Sequence, residues 1–346
     1  MRSFLVKSFI IVLAAFNFSP LSSWGLLQGR VDSAHGGEKS QFIAGLYKLY
    51  DPFYSGPLLA PSAHTVPYGY CNSQSYFFWK RTYGEYSRSW NRRRTRSSLQ
   101  YQYLSIFQYG LTNFMDLNVI AQCFRNRNQD KYHFGYGDTN LATGIQLLEG
   151  IIGTALPSCV LQLSMNFPSG KYRHLDESNL GVDATGAGAY GVGASLNFQK
   201  DFNTLFRKDI DPSKYHPFRF RWSFAYTINS RTHVKGVNAY GGNRRTRGTV
   251  KVGNNFTSIF AWEFSFTKHW VLATDWQYTA SAPSKFSGNT GGAPVGGPGN
   301  QNWSVAPALE FNLNEKFGAL AGAWFSLTGR NSDAFVAGIF SFTWLF

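Results

Sequence analysis

The stretch Phe218–Asn229 most constrains what this chain can become. Phe218, Phe220, Trp222, Phe224, Tyr226 and Ile228 fall on one side of a period-two pattern. Arg219, Arg221, Ser223, Ala225, Thr227 and Asn229 fall on the other. Successive side chains of a strand point to opposite faces, so this strand separates two unlike media. Six large apolar side chains cannot face water. Two arginines cannot face lipid, where a charge at mid-depth costs about 2–4 kcal/mol. A wall between lipid and a wet interior satisfies both.

The C-terminal stretch Phe335–Phe346 repeats the theme. Val336, Gly338, Phe340, Phe342, Trp344 and Phe346 alternate with Ala337, Ile339, Ser341 and Thr343. A soluble edge strand this apolar would be an aggregation hazard. An aromatic-faced last strand ending in Phe resembles the assembly signal of bacterial outer-membrane β-barrels, which implies the barrel-assembly machinery as a partner.

Composition agrees. Aromatic residues make up 17% of the chain and there are 35 glycines, yet mean hydropathy is only −0.24. Aromatic girdles account for such a balance in a barrel. No apolar run reaches the ~18 residues that mark a spanning helix. Arg2 and Lys7, an apolar run over residues 9–16 and small residues up to Gly25 read as a signal peptide over 1–25. Residues 26–73 contain Pro52, Pro57, Pro61 and Pro67 and show little periodicity. They are expected to be a periplasmic leader or a plug in the lumen. Cys71, Cys123 and Cys159 form neither a disulfide framework nor a metal motif.

Twelve strand-like stretches follow within residues 74–346. Their connections alternate short and long, as periplasmic turns and outer loops do. The residues at Asp201–Pro217 break this rule, being long where a short turn is due. The expected fold is all-β, a transmembrane antiparallel up-and-down barrel of about twelve strands, with ten or fourteen as alternatives. Counting inward from the periplasmic turns puts Asp116, Arg219, Arg221, Glu263 and Glu310 on the inner face near one mouth. There they are expected to line the pore and pair across strands.

From the fourth strand onward the chain resembles the outer-membrane family associated with the meta-pathway of phenol degradation. The resemblance rests on Gly135-Tyr136-Gly137-Asp138, on Phe167-Pro168-Ser169-Gly170, and on Gly181, Gly186, Gly188, Gly191 and Gly193. Tyr240-Gly241-Gly242 and Gly253-Asn254 complete it. The family more often shows Pro-Thr-Gly where this chain has Pro-Ser-Gly. The resemblance implies a bacterial outer-membrane barrel that passes small apolar or aromatic solutes, with no catalytic residue and no cofactor. A packed, non-transporting structural or surface-interaction barrel is the alternative.

Two basic clusters lie in stretches expected to be outer loops. One contains Arg92, Arg93, Arg94 and Arg96, the other Arg244, Arg245 and Arg247. Guanidinium forks bind phosphate bidentately, and the net charge is +14. Lipopolysaccharide phosphate is therefore the expected partner; nucleic acid, which an exported barrel rarely meets, is not. The run Ser87–Arg92 resembles the segment of outer-membrane phospholipase A that bears its catalytic Asn. That enzyme also needs an upstream His with a Ser two residues on, which neither His35 nor His64 has. Lipid hydrolysis is therefore only a minor alternative, and the chain is expected not to be an enzyme. The histidines show no metal spacing.

Overall fold

The computed structural model describes residues 56–150, 155–202 and 217–346. The proposed signal peptide, most of the 26–73 segment and the connection after Phe202 lie outside the described residues. The elements are β1 (Cys71–Tyr86), β2 (Arg92–Thr112), β3 (Met115–Asn128), β4 (Lys131–Tyr136), β5 (Thr139–Leu148), β6 (Ser158–Phe167), β7 (Gly191–Phe202) and β8 (Phe218–Asn229). They continue as β9 (Arg231–Lys235), β10 (Arg247–Lys251), β11 (Asn255–Ser265), β12 (Trp270–Ser281), β13 (Lys285–Asn289), β14 (Asn300–Asn312), β15 (Phe317–Arg330) and β16 (Ser332–Leu345).

Twelve of these strands close into an antiparallel barrel, neighbour to neighbour in chain order. The first pairs with the last, from Asn72↔Leu345 to Tyr86↔Ser332. β4 continues the line of β5 along β3, where Gly137 N donates to Gln122 O and the register slips. The period-two reading located all twelve wall strands, because each one separates two media. Phe77, Trp79, Trp222, Tyr226, Phe340 and Trp344 are exposed on the outside, whereas Tyr76, Ser223, Ala337 and Ser341 are buried on the inside.

One end of the barrel has short turns, such as 266–269 and 313–316, and the other carries the longer connections. β9, β10 and β13 form a separate three-stranded sheet at the long-loop end. From sequence this region is expected to be loop, since five-residue strands away from the wall show no lipid-facing alternation. The long-loop end also holds an exception. β15 and β16 are joined through Asn331 alone, which takes φ +48°.

Candidate functional site

All five predicted lumen residues face inward. Asp116, Arg221, Glu263 and Glu310 are buried, and Arg219 is nearly so. The cross-strand register orders them. Asp201, Arg219 and Glu263 stand directly opposite one another on β7, β8 and β11. Arg219 Nε binds Asp201 Oδ1, and Arg219 Nη1 lies 3.7 Å from Glu263 Oε2. Arg221, one step up, lies closer still to that carboxylate, with Nε 3.1 Å from Glu263 Oε1. Glu263 is thus held between two guanidinium groups. Stripping solvent from a charge costs several kcal/mol, and only such partners offset it.

One expectation needs correction. Asp116 shares the inner face but meets no arginine among the described residues. Its carboxylate accepts from Val66 N at 3.1 Å, Gly144 N at 3.1 Å and Asn118 Nδ2 at 2.8 Å. Glu310 lies two strands round the wall from Glu263. It is opposite Val271 on β12, and Asn312 Nδ2 lies 3.5 Å from its Oε2.

The other partners of the layer come from residues 56–67, which run through the lumen. Leu59 N and Ala60 N donate to the Asp275 carboxylate at 3.3 and 2.9 Å. Thr65 N donates to Gln146 Oε1, and Gln146 Nε2 returns a bond to Ala63 O. Two carboxylates and one carboxamide therefore satisfy backbone groups that a proline-interrupted segment cannot pair in a ladder. Leu58 is buried against Tyr76, Ala273, Ala306, Ala308, Leu320 and Ile339. Phe78, Leu104, Ile106 and Trp324 extend this apolar lane along the inner wall. Asp275 and Asp201 were not singled out from sequence. Asp275 was readable by parity, since Trp270, Leu272, Thr274 and Trp276 alternate with it. Asp201 was hidden because its position had been given to a turn.

At the long-loop end the motif residues meet. The Asp138 carboxylate accepts from Gly170 N at 2.9 Å and Ala187 N at 2.7 Å, while the Ser169 hydroxyl donates to Gly137 O at 2.9 Å. A Cβ on Gly186 would stand 2.5 Å from Asp138 Oδ1 and 2.7 Å from Gly170 Cα, so the two backbones approach only as glycines. Tyr240 Oη donates to Ala187 O at 2.6 Å; burial, then the nearby Asp138 carboxylate, pushes its phenol up to about 12. Asp183, buried in the same cap, accepts from Asp176 N and from Lys171 Nζ, at 3.0 and 2.9 Å. Burial alone would raise its carboxyl, but these donors hold it below the usual value. A cavity of 260 Å³ lies between this cap and β1–β3. It is lined by Lys80, Gln100, Asn126 and Asp333 among others.

The basic clusters differ from expectation in setting. Arg92, Arg93 and Arg94 are strand residues, opposite Tyr86, Glu85 and Gly84, and Arg96 follows on the same strand. All four are exposed on a hairpin extension of the wall rather than a loop. Arg244 and Arg245 are exposed in the β9–β10 connection, and Arg247 opens β10. Arg244 Nε is 3.4 Å from Glu177 Oε2.

Asn91 closes a tight turn, with its amide donating to Ser87 Oγ at 3.3 Å, far along the chain from the histidine that the structure pairs with a serine. That pair is His64 Nε2 and Ser158 Oγ at 3.3 Å, a contact across the fold that the search for an adjacent His and Ser could not find. The Ser158 hydroxyl also accepts from Gly150 N at 2.9 Å. Among the described residues, the ring of His64 makes no hydrogen bond to a carboxylate, the third member such a nucleophile needs.

No protein-family model matches the chain, and no curated protein sequence matches it. Solved structures do. An outer membrane channel from Pseudomonas putida F1 superposes with TM-score 0.62 at 12% identity, over 84% of this chain and 100% of that one. The toluene transporter TodX of Pseudomonas putida aligns at TM-score 0.37 and 10% identity, over 80% and 90% of the two chains. The transport unit of the autotransporter AIDA-I from Escherichia coli aligns at TM-score 0.42 and 7% identity, over 90% and 99%. The first likeness establishes the barrel fold. The other two are too distant to carry an argument.

Proposed function

We propose that this barrel is a passive channel of the bacterial outer membrane for small apolar or aromatic solutes. The observation that carries the reading is the apolar lane inside an otherwise polar lumen. Tyr76, Phe78, Leu104, Ile106, Leu320, Trp324 and Ile339 lie on the inner wall, where Leu58 and Leu59 now cover part of them. A barrel that only needed to be filled could use wall side chains alone. This one holds a separate segment through backbone hydrogen bonds, and moving that segment would expose a path on which an aromatic solute loses little by leaving water. Asp116, Arg219, Arg221, Glu263 and Glu310, joined by Asp201 and Asp275, would line the narrow part. The resemblance to the phenol meta-pathway family, carried by its turn motifs, points the same way.

In this reading the short turns face the periplasm. The exposed Arg92, Arg93, Arg94, Arg96, Arg244, Arg245 and Arg247 face lipopolysaccharide phosphate. Cysteines placed at positions 94, 245 and 292 should react with an impermeant reagent on whole cells, and those at 268 and 315 should not. Fractionation should recover the protein in the outer membrane with heat-modifiable gel mobility; recovery from the soluble periplasm would end the membrane reading.

The segment 56–67 held inside the lumen favours a second reading, a closed structural barrel. Vesicles decide between them. Release of an entrapped aromatic solute by the purified protein supports the channel, and impermeable vesicles containing heat-modifiable protein support the closed barrel.

A further inference from the structure

We infer that the outer wall of β1–β3 carries a binding surface for a phosphorylated lipid headgroup of the outer leaflet, built from Arg81, Arg125 and Arg127. It rests on the membrane orientation proposed above but not on transport. These arginines belong to the wall itself, unlike those of the hairpin tip and loops.

Parity fixes their direction. Lys80 turns inward and stacks over the buried Phe335 ring at 4.6 Å, so Arg81 turns outward. Asn126 turns inward and donates to Val182 O at 2.9 Å, so Arg125 and Arg127 turn outward, and both are exposed. Register brings them together. Trp79, Tyr101, Arg125 and Phe134 form one row across β1–β4, and Arg81, Leu99, Arg127 and Tyr132 form the next. Strands spaced about 4.8 Å apart put Arg81 and Arg127 about 10 Å apart at the backbone, with Arg125 next to Arg127 on β3 and diagonal to Arg81. None of the three has an ion-pair partner among the described residues. Arg127 Nε donates to Gln129 O at 3.2 Å, and the other two guanidinium groups are left open.

The rest of the wall is unlike this. Within about ten residues of the short-turn end, the outward positions of β5–β8, β11, β12 and β14–β16 carry a single charge, Lys200. It sits at that end, with Nζ bound to Leu156 O. Arg81 and Arg125 stand about ten residues up their strands. At ~3.4 Å per residue and a tilt near 40°, that is about 26 Å, the upper edge of an apolar band about 25 Å tall. Three guanidinium groups at that height, flanked by Trp79, Tyr101, Phe134 and Tyr132, meet the depth at which a lipid's phosphates lie above its acyl chains. Guanidinium forks suit phosphate geometry, and the aromatic rings suit the boundary between chain and headgroup.

The test uses the full-length protein in mild detergent, titrated with bisphosphorylated lipid A or with the same lipid stripped of phosphate. Wild type should bind the phosphorylated form, and Arg81→Gln/Arg125→Gln/Arg127→Gln should bind it at least about tenfold more weakly. Replacing Lys268 and Lys316, exposed at the short turns of the opposite end, with Gln should change it less than about threefold. Heat-modifiable mobility must be retained in both variants; Lys replacements at the three wall positions, which keep the charge, serve if the Gln variant fails to fold and should recover part of the binding. Equal binding of the two lipid forms, equal binding of inorganic phosphate alone, or an equal loss in the short-turn variant would each overturn the proposal. Failure of the transport assay would leave these outcomes unchanged.

Discussion

The two ends of the lumen are held by different means. At the short-turn end, charges on the strands themselves bind one another and the 56–67 segment. Arg221 and Arg219 bracket Glu263, and Asp275 and Asp116 hold backbone amides. At the long-loop end, the binding groups belong to the connections, with Asp138, Ser169 and Tyr240 tying one loop to another. Strand positions are fixed by ladders on both sides, so a charge there is placed once the register is placed. Loop positions depend on each other. The inner end should therefore fail as a unit, and the outer end piece by piece.

The strongest way to break this contrast is to remove the occupant. Replacing residues 57–66 with a Gly-Ser linker frees the apolar lane and leaves the wall intact. Single-channel conductance should rise by about fivefold or more, the increase expected when a constriction sets the current. Unchanged conductance would show that the segment does not obstruct the path.

Arg221→Ala comes next. It strips Glu263 of its nearer partner, and breaking a buried pair from one side costs about 3–5 kcal/mol. Heat-modifiable mobility should be lost at a lower temperature, and ion preference in planar bilayers should shift towards cations. A thermal transition and selectivity equal to wild type would mean that Arg219 alone compensates the carboxylate.

Asp138→Ala probes the other end and should be smaller. It leaves the Gly170 and Ala187 amides without their acceptor, at a cost of about 1–3 kcal/mol each where they stay dry. Limited proteolysis should cut residues 168–190 faster, while the barrel's own transition holds. If the whole barrel loosens, the ends are not independent.

The smallest effect is a pH dependence. Asp183 is held ionised by the Asp176 amide and the Lys171 ammonium, so its folded value lies below that of the free side chain. Its contribution is present at neutral pH and lost as pH falls through that depressed value. Protease protection of the cap should decline there in wild type, and Asp183→Asn should flatten the decline.

Much of the inner end was legible in the sequence. Two-media alternation gave the wall strands, and counting from the turns placed Glu263, Arg219 and Arg221 on one face. It did not give their partners. Glu263 is opposite Arg219 yet nearer Arg221, a matter of side-chain reach that parity does not carry. Where residues 56–67 run was not legible either, because Pro57, Pro61 and Pro67 interrupt any period and their contacts lie far away in sequence. The Asp138 clasp was visible only as turn chemistry. Gly170 and Gly186 are recognisable as glycines, but nothing local says that they need each other.

The pairing of β1 with β16 has a consequence for how the ring is made. Cys71 and Phe346 exchange both backbone hydrogen bonds, at 2.8 and 2.9 Å. Every other join in the wall links one wall strand to the next wall strand along the chain; this one links strands separated by the entire barrel. The entropy of closing so large a loop is modest, since each doubling of length adds only about 0.6 kcal/mol. The kinetic cost is larger, because distant pairings form slowly and leave edges bare meanwhile. The seam is therefore expected to be the last join to form. Until then the protein would be a curved sheet with two sticky rims, one of them carrying Arg81 and Trp79, the side chains proposed above for the membrane boundary.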